Sequence, residues 1–131
     1  MVDEPAQGLG PAERDAEIGR PRDLPVYDAE IVAELEAVFG RARLMNLLTG
    51  LRDEIAQRLR DPEARRDALS RDAHVLVSAS GTLGFSALSS ACAALEEACY
   101  AGTEVGPALA VARRSADAAS DAIARLRAQA A

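Results

Sequence analysis

One imidazole and two thiols are the side chains of this 131-residue chain best suited to nucleophilic or metal-ligating chemistry: His74, Cys92 and Cys99. His74 opens the stretch "HVLVSASGTLG". From Ala73 to Leu95 no other side chain carries charge, while five Ser, one Thr and two Gly are present. An imidazole that is mostly uncharged at neutral pH offers a free ring nitrogen as a nucleophile. Metal chemistry fits less well, because two cysteines and one histidine without a CxxC spacing make a poor zinc site. The cysteines lie seven residues apart on one expected helix, about 10.5 Å along its axis and too far for a disulfide. They read as buried, reduced, structural thiols of a cytoplasmic protein.

The elements that must position His74 follow from composition and periodicity. A 13.8 kDa chain makes one domain with a single core. Aromatic residues are 3% and Trp is absent. The core is therefore expected to be aliphatic and Ala-rich, a composition that suits close-packed helices better than a sheet. Residues 1–24 hold Pro5, Pro11, Pro21, Gly8, Gly10 and Gly19 and read as a flexible lead, with one helical turn near Ala12–Ile18.

Asp28 is the expected N-cap of a short helix whose apolar positions are Ile31, Val32, Leu35, Val38 and Phe39, with Gly40 as its left-handed cap. Leu44, Leu47, Leu48, Leu51, Ile55 and Leu59 mark a helix from Arg41 to Arg60. Asp61-Pro62-Glu63 reads as the start of a third, running to Leu83. A fourth follows Gly84 through Leu88, Cys92, Leu95 and Cys99 to Gly102. The last begins near Thr103 or Gly106, with Pro107 in its first turn and Leu109, Ala112, Ala116, Ala119, Ile123 and Leu126 on one face. Short loops force antiparallel neighbours. The fold class is all-α: an antiparallel up-down four-helix bundle over residues 25–131, with a short extra N-terminal helix.

Function classes narrow at the same time. A net charge of −6 and a pI near 4.8 argue against nucleic acid or an anionic membrane as partner. The uncharged stretch around His74 is too polar and too divided by Gly81 and Gly84 for a membrane span, and no secretory signal is visible at the N-terminus. On a helical wheel Leu69, Ala73, Leu76, Ser80 and Leu83 share the core direction, and His74 falls about 140° away from Leu69, towards solvent. Asp67, Ser78 and Gly81 share its face, and Ser70, Arg71 and Val77 flank it. Small residues leave the ring open to a large, close-approaching partner.

His74, Leu76, Gly81, Leu83, Gly84, Leu88, Cys92, Leu95 and Glu96 together resemble the signature of the histidine-containing phosphotransfer (HPt) domain, roughly H-x-L-K-G-x-x-x-x-L-G followed by L-x-x-x-C-x-x-L-E. The register agrees at all nine positions without a gap, and the likeness covers residues 25–128. It departs twice. Val77 stands where the family has a lysine, and Ser78 where it has a glycine; Ser78 is nearly as small and adds a hydroxyl donor.

The resemblance implies a four-helix bundle with a phosphorylatable His74. Its Nε2 would attack the aspartyl phosphate of a docked receiver domain and later return the group to another receiver. It implies a phosphoryl carrier and not an ATP-dependent kinase, with no cofactor of its own because the receiver supplies Mg²⁺. The expected partners are response-regulator receiver domains or a hybrid histidine kinase, met by a monomer in a bacterial cytoplasm. Asp67, Val77 and Gly81 are the expected receiver-docking residues; Arg71, Ser70 and Ser78 are expected beside the phosphate. Arg71, one turn before His74, stands in part for the missing lysine, or merely pairs with Asp67 or Asp72. Two other classes stay open: a module that docks receivers without carrying phosphate, and a structural bundle that dimerises through its Ser/Gly face.

Overall fold

The computed structural model describes residues 24–61 and 63–130. The expected lead through Arg22 and Asp23, its helical turn near Ala12–Ile18, and Pro62 lie outside these. Five helices follow in order: α1 (Ala29–Phe39), α2 (Arg41–Gln57), α3 (Arg66–Gly81), α4 (Ser86–Ala101) and α5 (Gly106–Ala130). Among the described residues there is no strand. Helices α2, α3, α4 and α5 form a ring in which each packs on the next and α5 closes on α2, while α1 also contacts α2. This is the expected antiparallel bundle with a short additional first helix.

The core matches the composition. Leu44, Leu48, Leu51 and Ile55 of α2 meet Leu69, Ala73 and Leu76 of α3, and Leu88, Cys92 and Leu95 of α4. From α5 come Ala112, Ala116, Ala119 and Ala122, with Ile123 as its large buried residue. The alanine stripe lets α5 approach its neighbours closely, where bulkier side chains would hold the axes apart.

The helix ends depart from the sequence reading in four places. Gly40 does stop α1, but with φ 86° and ψ 158° it is no left-handed cap. Its extended ψ turns the chain in one residue so that α2 begins at Arg41. Helix α2 stops at Gln57 instead of Arg60, because Leu59 is drawn into the core with φ 63°. Asp72 of α3 holds it there, accepting the Leu59 N–H at 3.0 Å and Arg58 Nη1 at 3.0 Å. Arg113 Nε of α5 donates to the Leu59 carbonyl at 2.8 Å.

Helix α3 begins at Arg66, not at the Asp61–Glu63 signal. The Asp61 carboxylate does accept the Glu63 N–H at 2.9 Å, but it closes an isolated turn instead of a helix. At its other end α3 stops at Gly81 instead of Leu83. The Phe85 N–H donates back to the Ser80 carbonyl at 2.9 Å, reversing the chain.

Other ends behave as read. Asp28 Oδ1 accepts from the Glu30 and Ile31 amides at 2.9 and 3.3 Å, and Gly102 ends α4 in the left-handed conformation. Gly84, with φ 84°, has a second reason to lack a side chain. A Cβ there would stand 2.9 Å from Ile31 Cγ2, so the glycine lets α1 seat on the α3–α4 turn. The Asp28 N–H donates to the Gly84 carbonyl at 2.8 Å and fixes that seat.

Candidate functional site

Helix α3 buries Leu69, Ala73, Leu76 and Ser80 and so turns His74 outward. The imidazole is 71% exposed, as the wheel places it. It is held on one side only: Nδ1 lies 2.9 Å from Glu96 Oε2 of α4. Glu96 is only 19% exposed and follows the fully buried Leu95 in sequence.

This contact sets the ring's chemistry. An ionised carboxylate can only accept, so Nδ1 must be the protonated nitrogen. In the neutral ring the lone pair is then on Nε2, the nitrogen left without a protein partner. The same carboxylate stabilises positive charge that develops on the ring when Nε2 forms a bond. Geometry thus provides a free nucleophilic nitrogen with a fixed tautomer.

A depression beside the ring is lined by Ser70, Arg71, His74, Val75, Glu96 and Tyr100. Of the expected phosphate neighbours, Ser70 and Arg71 are therefore brought to His74. Arg71 is exposed and its nearest carboxylate is Asp67, at 3.9 Å. The other suggested partner, Asp72, is engaged instead with Arg58 and Leu59.

Ser78, Val77, Gly81 and Asp67 do not line this depression. Ser78 is exposed one turn further on. Val77 is half-buried and packs against the core, and its carbonyl accepts from Ser89 Oγ at 3.1 Å. Gly81 is exposed, yet a Cβ on it would come within 3.2 Å of that same Ser89 Oγ. Its lack of a side chain thus also serves the close packing of α3 on α4. Asp67 stands further towards the start of α3, facing Arg65 at 3.8 Å.

Val75, Glu96 and Tyr100 are the lining residues to which sequence reasoning gave no role. Glu96 appeared only as a matching letter of the signature. A usable signal existed, since His74 and Glu96 are equidistant from Phe85 in the reversal between two antiparallel helices. Tyr100 follows Glu96 by one turn on the same face.

The two thiols take no part. Burial pushes the Cys92 thiol up to about 12 and also raises Cys99, against the opposing charge of Arg66. Both are buried and unpaired by disulfide, as read from their spacing. No cluster of three or more His, Cys, Asp or Glu able to hold a metal occurs among the described residues. No helix among them is long and apolar enough to cross a membrane.

The family model described as the Hpt domain matches residues 41–129, from the start of α2 almost to the end of α5. The chain belongs to the Hpt domain family. Members of this family are phosphocarriers rather than kinases, act in two-component systems, and interact with receiver domains and kinases. A phosphotransfer-type role in such a system follows for this chain. The match leaves α1 outside, whereas the sequence resemblance covers residues 25–128. No individual curated protein and no solved structure matches the chain significantly.

Proposed function

We propose that this protein is a histidine phosphotransfer carrier that accepts a phosphoryl group on His74 Nε2 from a receiver-domain aspartate and donates it to another. The observation that carries this reading is the exposed His74 ring anchored through Nδ1 to Glu96, which leaves Nε2 free and outward. In the forward step the Nε2 lone pair forms the N–P bond as the aspartyl P–O bond breaks, and the electron pair leaves with the receiver's carboxylate. The ring, still protonated at Nδ1, gains positive charge that faces Glu96. The reverse step returns the phosphoryl group to a receiver carboxylate and restores the neutral ring.

Little else is asked of the chain. Positioning is the main contribution of a carrier in phosphoryl transfer when the partner brings the metal. Mg²⁺ belongs to the receiver in this reading. Arg71 and Ser70 are placed to reach phosphate oxygens, with Ser78 on the opposite flank. Asp67, Val77 and Gly81 form the outer docking surface of a carrier that works as a cytoplasmic monomer in bacteria.

A second reading rests on one observation. Val77, half-buried against the core, stands where the family signature has its lysine, which favours a module that docks receivers without holding phosphate. One experiment separates the two. Receiver domains charged with acetyl phosphate are mixed with the wild-type chain and with His74→Gln, and acid-labile phosphate on the chain is measured. Carrier function requires labelling of wild type and none of His74→Gln. Receiver binding without labelling of either supports the docking module, and equal labelling of both ends the assignment of His74.

A further inference from the structure

The chain enters α1 through a short strap. The Asp28 N–H is bonded to the Gly84 carbonyl at 2.8 Å, the Tyr27 ring centre lies 5.5 Å from that of Phe85, and Val26 packs against the core. Before that point the strap lies against α5. Leu24 and Val26 form one wall of a groove whose other walls are Ala87 of α4 and Val111, Ser115 and Ala118 of α5. The groove shares no residue with the depression around His74, and the phosphocarrier reading gives it no part.

Three properties decide what fits there. The first is size: about 280 Å³, below the roughly 300–1,000 Å³ of small-molecule sites. Its α5 wall, from Val111 to Ala118, is about 10.5 Å long. One or two aliphatic side chains fit, but a groove this short cannot bury the roughly 800 Å² per partner of a stable contact between separate chains. The second property is charge. Arg114 is the one charged lining residue, and it is exposed. Arg113 beside it donates to the Leu59 carbonyl, whereas Arg114 has no hydrogen-bond or ion-pair partner among the described residues. The third is position. Leu24 is the first described residue, so residues 1–23 join the fold at the groove's own wall.

The sequence before Leu24 matches all three. Ile18 is its nearest large aliphatic residue, six positions upstream. Six residues span about 9 Å as helix and about 20 Å when extended, so Ile18 reaches along the groove in either form. Glu13, Asp15 and Glu17 stand beside it against a single Arg14, an excess of negative charge that complements Arg114. So short a tether also gives the segment a millimolar effective concentration, for which a small contact suffices.

We infer that this groove is the seat of the chain's own N-terminal segment. Ile18 fills it against Leu24 and Val111, and the carboxylates of Glu13, Asp15 and Glu17 face Arg114. The segment thereby fastens α5 to α4 at a seam where α3 takes no part, and His74 stays open. The inference stands apart from the phosphocarrier reading.

Cysteine pairs in the full chain test it. Ile18→Cys is combined either with Ser115→Cys in the groove or with Asp53→Cys on the exposed side of α2. Disulfide formation under mild oxidation is timed, and peptide mapping distinguishes the new bond from any involving the buried Cys92 and Cys99. The 18–115 bond should form about tenfold faster than the 18–53 bond. Adding Arg114→Glu should slow it about threefold at low salt, an effect that fades as salt rises. Equal rates for the two pairs overturn the seat, and so does an 18–115 rate that Arg114→Glu leaves unchanged. A bond that joins two chains instead of closing one also overturns it and assigns the groove to a second copy. None of these outcomes depends on whether His74 is labelled, so failure of the carrier reading is seen separately.

Discussion

Arg71 stands three residues before His74, and its guanidinium is held by nothing closer than Asp67 at 3.9 Å. An exposed ion pair of that length contributes little, so the side chain can turn to phosphate oxygens at small cost. A guanidinium then offers a forked pair of donors that an ammonium cannot match. Arg71→Ala should shorten the half-life of phospho-His74, measured on the isolated chain without receiver, by about two- to fivefold. Equal half-lives would return Arg71 to the ordinary surface. At this scale the exposure of His74 was legible, because four buried positions at helical spacing fix where the fifth direction points. The Glu96 contact was legible only from the spacing of the two residues about the Phe85 reversal and not from either helix alone, since it depends on how far α4 slides along α3, a quantity that no single-helix pattern contains. Val77 illustrates the same limit. Its letter shows that a lysine is missing, but only the packed bundle shows that the side chain is half-buried.

The helices themselves were legible from their apolar spacing, and their ends much less so. Asp61, Pro62 and Glu63 have the residue types of a helix start, yet α3 begins only at Arg66. The cause lies at the preceding helix end. Leu59 takes φ 63° and is buried, held by contacts from residues that are distant in sequence. Asp72 occupies both of its oxygens there, one on the Leu59 amide and one on Arg58, each at 3.0 Å. Hydrogen bonding to Glu54, and then to Asp72, raises the Arg58 pKa above its ordinary value against some desolvation, so that guanidinium stays charged. Removing the carboxylate leaves an amide without its acceptor and releases a strained leucine. Asp72→Ala should therefore lower unfolding free energy by about 1–3 kcal/mol in urea titrations. His74 should still accept phosphate wherever the variant is folded, because Asp72 faces the α2–α3 loop and not the depression. Destabilisation below about 0.5 kcal/mol would show that core burial and the Arg113 contact hold Leu59 without Asp72.

For the whole molecule, the scarcity of aromatic residues pointed to an aliphatic, Ala-rich core, and the folded chain has one. Cys92 sits fully inside that core, against α3 and α5, where no group compensates a thiolate. Burial pushes its pKa from 9.0 up to about 12. The folded state therefore keeps its proton through a range of pH in which the unfolded chain gives its proton up. A group raised in this way contributes stability that is intact below the unfolded value and is lost as pH climbs towards the folded one. Between about pH 9 and pH 12 wild type should lose on the order of 4 kcal/mol through this thiol alone. Cys99 acts in the same direction, its thiol also raised by burial, so the comparison must isolate Cys92. Cys92→Ala should start somewhat less stable near neutrality, having given up a buried sulfur, and then fall less steeply across the alkaline range. The two curves of unfolding free energy against pH, measured in urea from pH 7 to pH 11, are expected to converge as pH rises. Parallel curves would mean that the core around Cys92 accommodates a thiolate, and with it water, in the folded bundle.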